Sequence, residues 1–332
     1  MKDFIKILRN NQIKWKQNHL PDIKEFGKQN GRFYPHILPF KHRWSNFYPD
    51  IQHNLPTYLE KNNIQPHTGI HNLMSSWVLC SNMYWPFNNT NGFLLLSDFL
   101  TNKTGIDISN IDKMELEYED EELKPHDLLG EDTGGQRGSG QTSPDLAIIF
   151  YTRSQKRGIL LIESKFTEHS FYGCSGYHKS KPGKPINPDK NRCKYTKGII
   201  DSDFKDCHLS TWNRKYWDLL KNDLNKELFL ELKRCPMTNS CYQLFRQQAL
   251  AKGLENKYEI VVSCVFTDSR NENLINSCCS VGLKSFPEGW KELFPKLNFQ
   301  WLTHNDWYSY IKENHSKEYS NWVKYIGERY FL

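Results

Sequence analysis

Two apolar runs, Asp145–Thr152 and Gly158–Phe166, flank a short polar stretch, and both are dense in isoleucine, leucine and phenylalanine. Strand-forming residues on either side of a turn at Ser154–Arg157 predict a β-hairpin. Pairing about that turn lays Asp145 across from Glu163 and Lys165, and opposed side chains of an antiparallel pair lie roughly 5 Å apart. Because side chains alternate along a strand, Glu163 and Lys165 share a face with Ile159 and Leu161 while Ser164 points away. Lys113–Glu119 reads as a preceding strand and Tyr258–Thr267 as a later one. Ile70–Trp85 and Gly92–Leu100 read as apolar helices able to pack on a sheet, and Leu209–Lys233 and Tyr242–Leu254 as amphipathic helices. In the C-terminal stretch, Trp290, Trp301, Trp307 and Trp322 are expected as packing residues, since aromatic side chains dominate core burial. No internal repeat or leucine heptad is present.

The hairpin thus carries two carboxylates and an ammonium at one end of an otherwise buried element. Burying such charges is costly unless they are paired or bound to metal. Two neighbouring carboxylates call for a cation, and Mg²⁺ suits them because it takes one or two protein carboxylates and completes its shell with water and substrate phosphate. Asp145 and Glu163 are therefore the expected ligands, with Mn²⁺ able to substitute. Lys165 is placed to orient or help deprotonate the attacking water and to offset charge on the phosphorane. The reaction class expected is phosphodiester hydrolysis.

These residues resemble the PD-(D/E)xK superfamily of restriction-endonuclease-like nucleases, Pro144-Asp145 matching the PD and Glu163-Ser164-Lys165 the ExK. The close match covers about residues 142–166. The resemblance implies an α/β restriction-endonuclease-like core with a mixed central β-sheet flanked by helices, Mg²⁺ dependence and a DNA substrate. Ser75–Asn82 and the extension from Glu163 to Glu168 are also similar to a group of bacterial restriction-type nucleases. On this basis residues 1–68 form an N-terminal extension and 69–270 the nuclease core. A basic, cysteine-containing insertion falls at about 174–241, and 271–332 is expected as an aromatic-rich helical segment packed on the core.

Charge adds a substrate-contact surface. The chain carries a net +6, and Tyr177–Lys197 alone accounts for as much, with Lys179, Lys181, Lys184, Lys190, Arg192, Lys194 and Lys197 against Asp189. Pro182, Pro185 and Pro188 with Gly183, and Gly176 just before, make it an irregular loop. Beside a phosphodiesterase centre such a loop would track a nucleic-acid backbone with salt-dependent affinity. An acidic stretch runs from Asp112 to Asp132 with ten carboxylates. Glu117 and Glu131 are the further candidate metal ligands within it, because members of the resembled superfamily often place another acid before the PD. Of the nine cysteines, Cys174, Cys193 and Cys207 are the candidate ligands of a structural Zn²⁺ or iron-sulfur cluster, although no Cys-x-x-Cys pair supports them.

Several classes fall away. The glycine-rich Gly134–Gly140 lacks the Gly-x-x-x-x-Gly-Lys-Ser/Thr pattern of an ATPase. No run of eighteen apolar residues exists to cross a membrane, and the N-terminus lacks a signal peptide's apolar core. A cytoplasmic protein without a disulfide framework is expected. The favoured function is a type II restriction or phage-defence DNA endonuclease acting on double-stranded DNA, as a homodimer if it cuts a symmetric site, alongside a cognate methyltransferase or another defence-system partner. A repair, recombination or structure-selective nuclease working with a partner is the alternative, and a non-catalytic nucleic-acid-binding protein is a third.

Overall fold

The computed structural model describes residues 2–178, 183–314 and 317–331. At its centre five strands run in the order of the chain: β3 (Ile108–Leu116), β4 (Leu146–Thr152), β5 (Arg157–Lys165), β6 (Ile260–Thr267) and β7 (Phe299–Thr303). A separate two-stranded hairpin, β1 (Gly27–Gln29) and β2 (Arg32–Tyr34), lies in the N-terminal region. In the main sheet β3, β4 and β5 are antiparallel, while β6 and β7 add in parallel. The mixed sheet arises from connection length: the four-residue turn 153–156 allows only an antiparallel return, whereas β5 reaches β6 through a long helical crossover. Gln155 takes a left-handed φ of 62° in that turn.

Both faces of the sheet are covered, which is why β4 and β5 are apolar almost throughout. Ala147, Ile149, Ile159, Leu161 and Val265 face a helical layer that includes α4 (Tyr242–Leu254). Leu146, Ile148, Phe150, Leu160, Ile162 and Phe266 face the other layer, built from α2 (Ser76–Tyr84), α3 (Thr90–Thr104), α5 (His304–Asn314) and the N-terminal region. This is the expected α/β architecture, a mixed five-stranded sheet flanked by helices.

The first helix, α1 (Lys2–His19), is joined to the chain's other end by Arg329, which is buried and has no acidic partner among the described residues. Its guanidinium donates to Asn46 O at 2.7 Å, to Asn46 Oδ1 and to Gln12 Oε1 at 3.2 Å, and its Cζ lies 4.3 Å from the Trp15 ring centroid. Gln12 donates in turn to Arg329 O at 2.8 Å.

Several elements differ from the sequence reading. The apolar segment from Ile70 becomes helical only at Ser76, because Ser75 caps that helix by accepting from Val78 N. Leu209–Lys233 is not one amphipathic helix but three short ones, 208–211, 216–220 and 226–231, interrupted where Asn213 takes a left-handed φ of 59° and again at 221–225. The C-terminal stretch is not purely helical: Phe299–Thr303 pairs with β6 and forms the sheet's fifth strand. Trp290, Trp307 and Trp322 are fully buried packing residues, and the partly buried Trp301 donates to Thr267 Oγ1 at 2.9 Å.

Candidate active site

The hairpin register is the one that the turn position predicts. Leu146 pairs with Ile162 and Tyr151 with Arg157, so Asp145, one residue before β4, stands beside Glu163. Asp145 Oδ2 accepts from Ser164 N at 2.8 Å, extending the ladder by a side chain. Glu163 and Lys165 share a face of β5, and Lys165 Nζ lies 2.5 Å from Glu163 Oε1. All three residues project toward the α4 side of the sheet, into a cavity of about 220 Å³.

Ser164, on the opposite face, fixes the strand end from behind. Its hydroxyl donates to Ser76 O at 3.3 Å and lies 3.3 Å from His304 Nε2, while His304 Nδ1 meets Tyr84 OH at 2.9 Å. Burial pushes His304 down to about 4, so the ring is neutral near pH 7.

Glu117 is the third carboxylate of the cavity. It sits one residue beyond β3 with a left-handed φ of 48°, a conformation that non-glycine residues adopt at a cost. Its N–H donates to Asp145 O at 3.1 Å, tying the two acids together through the backbone. Gly138, at φ 78°, passes close by: a Cβ there would stand 2.5 Å from Gln65 O and 3.5 Å from Glu117 Cδ.

The electrostatics of this group are unbalanced. Burial, then the charge of Glu163, pushes Asp145 up to about 8. Burial and the charges of Asp145 and Glu163 raise Glu117 well above the carboxylate range. Lys165 loses solvation too, but Glu163, Glu168 and Asp145 together outweigh that and raise it, holding the ammonium charged. One lysine is too little countercharge to ionise several neighbouring carboxyl groups, and a hard cation would favour their ionised forms. Among the described residues, no set of three or more His, Cys, Asp or Glu side chains is placed to close around one ion. An ion at this site would rest on the carboxylate pair and take water and phosphate for the remainder.

The cavity wall adds His67 and Gln243, which the sequence did not single out. Trp77 and Glu168, from the two segments similar to restriction-type nucleases, and Gln247 line it as well. Gln247 spends its amide nitrogen on Leu161 O, Ser263 Oγ and Cys264 O at 2.9–3.2 Å, bracing β5 against β6, and its Oε1 has no partner among the described residues. Gln243 Oε1 is likewise buried without one among them. The sequence signal for these residues was a helical spacing on Tyr242–Leu254, which does not say which face meets the sheet.

Other predicted residues lie elsewhere. Glu131 is committed to structure: it accepts from Thr142 N and Oγ1 at 2.6 and 2.5 Å and from Tyr216 OH at 2.7 Å, and it pairs with Arg246 at 3.3 Å. In the basic segment, Lys184 pairs with Asp132 at 3.1 Å, Lys197 with Asp201 at 2.5 Å, and Arg192 donates to Asp189 O and Asp206 O. Lys190 and Lys194 are exposed, and Lys179 and Lys181 lie outside the described residues. Cys174, Cys193 and Cys207 do line one enclosed cavity, joined by Cys235. That cavity measures about 20 Å³, room for little more than a water, and burial raises all four thiols.

A mixed sheet between helical layers, with a carboxylate-lysine cavity at the end of its central hairpin, defines a restriction-endonuclease-like protein. Residues 9–331 match the family described as REase-ARP, Restriction Endonuclease associating with ARP, and the chain belongs to that family. No curated protein and no solved structure matches the chain. Among the described residues no helix is long and apolar enough to cross a membrane.

Proposed function

We propose that the chain is a Mg²⁺-dependent DNA endonuclease of the PD-(D/E)xK type, working in restriction or phage defence. The observation that carries this reading is the convergence of Asp145, Glu163 and Lys165 on one face of the hairpin, at a polar cavity, in a member of a restriction-endonuclease family. Asp145 and Glu163 would hold Mg²⁺, or Mn²⁺ in its place, which when bound supplies electrophilic activation of the phosphate and of the attacking water. Lys165, held charged by its carboxylate neighbours, donates hydrogen bonds to the attacking water and to a phosphate oxygen; an ammonium kept protonated serves as donor rather than as base. Ser164, latched to His304 and Ser76, keeps the strand end from rotating, so that the neighbouring Glu163 and Lys165 hold their positions.

Lys190 and Lys194 would contact the substrate backbone. A homodimer would place two such sites on the strands of a symmetric duplex. The family description adds an association with ARP, which favours a defence-system partner acting with the nuclease.

The test is incubation of the purified chain with a plasmid and with unmethylated phage DNA in Mg²⁺, with EDTA and Lys165→Ala as controls. Discrete products lost in both controls support a site-specific restriction enzyme. A smear lost in both supports a nonspecific effector or repair nuclease, and intact DNA under all conditions overturns autonomous cleavage.

A further inference from the structure

The N-terminal hairpin presents an unusual surface. Phe26, Phe33 and Phe40 are 50%, 67% and 60% exposed, and each ring has a cation over it. Lys16 Nζ lies 5.3 Å from the Phe26 centroid, Lys28 Nζ 5.9 Å from Phe33, and Arg43 Cζ 4.5 Å from Phe40. Three large exposed rings in one region are more than scattered surface apolarity.

Strand geometry places them together. Lys28 pairs directly with Phe33 in β1–β2, and Phe26 immediately precedes β1. Phe40 joins through His71, whose ring meets it edge-on at 5.6 Å and whose Nε2 lies 3.3 Å from Lys28 O. Lys24, Lys28, Arg32, Lys41 and Arg43 make the Lys24–Arg43 segment strongly basic against the lone acid Glu25, which pairs with Lys41 at 3.3 Å. Among the described residues Lys24 and Arg32 have no ion-pair partner.

This surface is tied to the cavity. Leu38 N donates to His71 O and Leu73 N to His36 O, so the 67–73 turn is laced to the chain that follows the hairpin. The same turn carries His67, which lines the cavity and feels the charges of Lys165, Glu168 and Glu163. Phe40, through His71, and the cavity, through His67, thus both meet one short turn.

We infer that the Phe26–Phe33–Phe40 face is a stacking platform for unpaired nucleotides of the DNA strand entering the cavity. The inference rests on the nuclease reading and deepens it, naming a substrate with single-stranded or splayed bases next to the cut. Charge decides between occupants: an exposed ring backed by a cation beside free lysines and arginines suits a base and its phosphate, whereas the apolar centre of a protein interface is depleted in lysine.

The test measures binding without cleavage: fluorescence anisotropy of a labelled 20-nucleotide oligothymidylate and of a 20-base-pair duplex, in EDTA, across a salt series. Phe33→Ala and Phe40→Ala are each expected to weaken oligothymidylate binding at least about fivefold, from the usual worth of one base–aromatic stack, and to weaken duplex binding less. Phe33→Trp should restore or exceed wild-type affinity, which a folding defect would not allow. Lys24→Ala with Arg32→Ala should lower the slope of log affinity against log salt, the signature of lost phosphate contacts. Unchanged oligothymidylate affinity in the ring variants overturns the platform, as does an equal loss on the duplex, and binding of a protein partner alone would be read from the first of these. Because no cleavage is scored, a wild-type chain that binds in this way yet never cuts DNA would sink the nuclease reading and leave the platform standing.

Discussion

Two acidic groups on the same side of the sheet have opposite surroundings. Burial penalises Glu131, but Arg246, Thr142 and Tyr216 overcome the penalty and hold its carboxyl below the usual range. Burial likewise penalises Asp145 and Glu117, yet there the neighbouring carboxylates add to the penalty and push both upward. A buried acid whose oxygens are all used is a structural device. One left facing like charges keeps its capacity for a ligand, and folding stability is spent in holding it there.

The largest expected effect separates the two groups directly. Asp145→Asn should reduce DNA cleavage by about 10²–10³-fold or more while leaving the melting temperature unchanged or higher, since it removes an acid that burial and its neighbours make costly to ionise; a lower melting temperature would contradict that cost. Glu131→Gln should do the reverse in urea unfolding, costing about 3 kcal/mol because the partly buried Arg246 loses its counter-charge. Third, millimolar Mg²⁺ should raise the wild-type melting temperature by about 2–5 °C through linkage and should leave Asp145→Asn unmoved. The smallest effect concerns His304. Its folded-state value of about 4 lies below the ordinary 6.5, so the unfolded chain takes up the proton first. Stability should therefore fall as pH drops from about 6.5 toward 4, and His304→Gln should flatten that limb of a pH–stability curve.

What the sequence disclosed followed the range of the interactions. The β4–β5 hairpin was legible because turn position and alternation are local rules, and they bring Asp145, Glu163 and Lys165 together without further information. The α4 helix was legible at its full length. Glu131 was ambiguous, since its partners Tyr216 and Arg246 lie 85 and 115 positions away and nothing in an acidic run marks the member that will be satisfied. The strand β7 escaped because five residues rich in aromatics read equally well as packing surface, and only the free edge of β6 makes them a strand. The broken helices of 208–231 show tertiary packing overriding an amphipathic pattern.

His304 lies 140 residues after Ser164, and the latch needs both. During synthesis the hairpin leaves the ribosome long before its rear support exists, since chains fold from the N-terminus as they emerge. A nascent chain would carry the acids and the lysine without the element that steadies their strand. Cleaving power would then mature late in translation, limiting the interval in which an incompletely made nuclease could act on its host's own DNA.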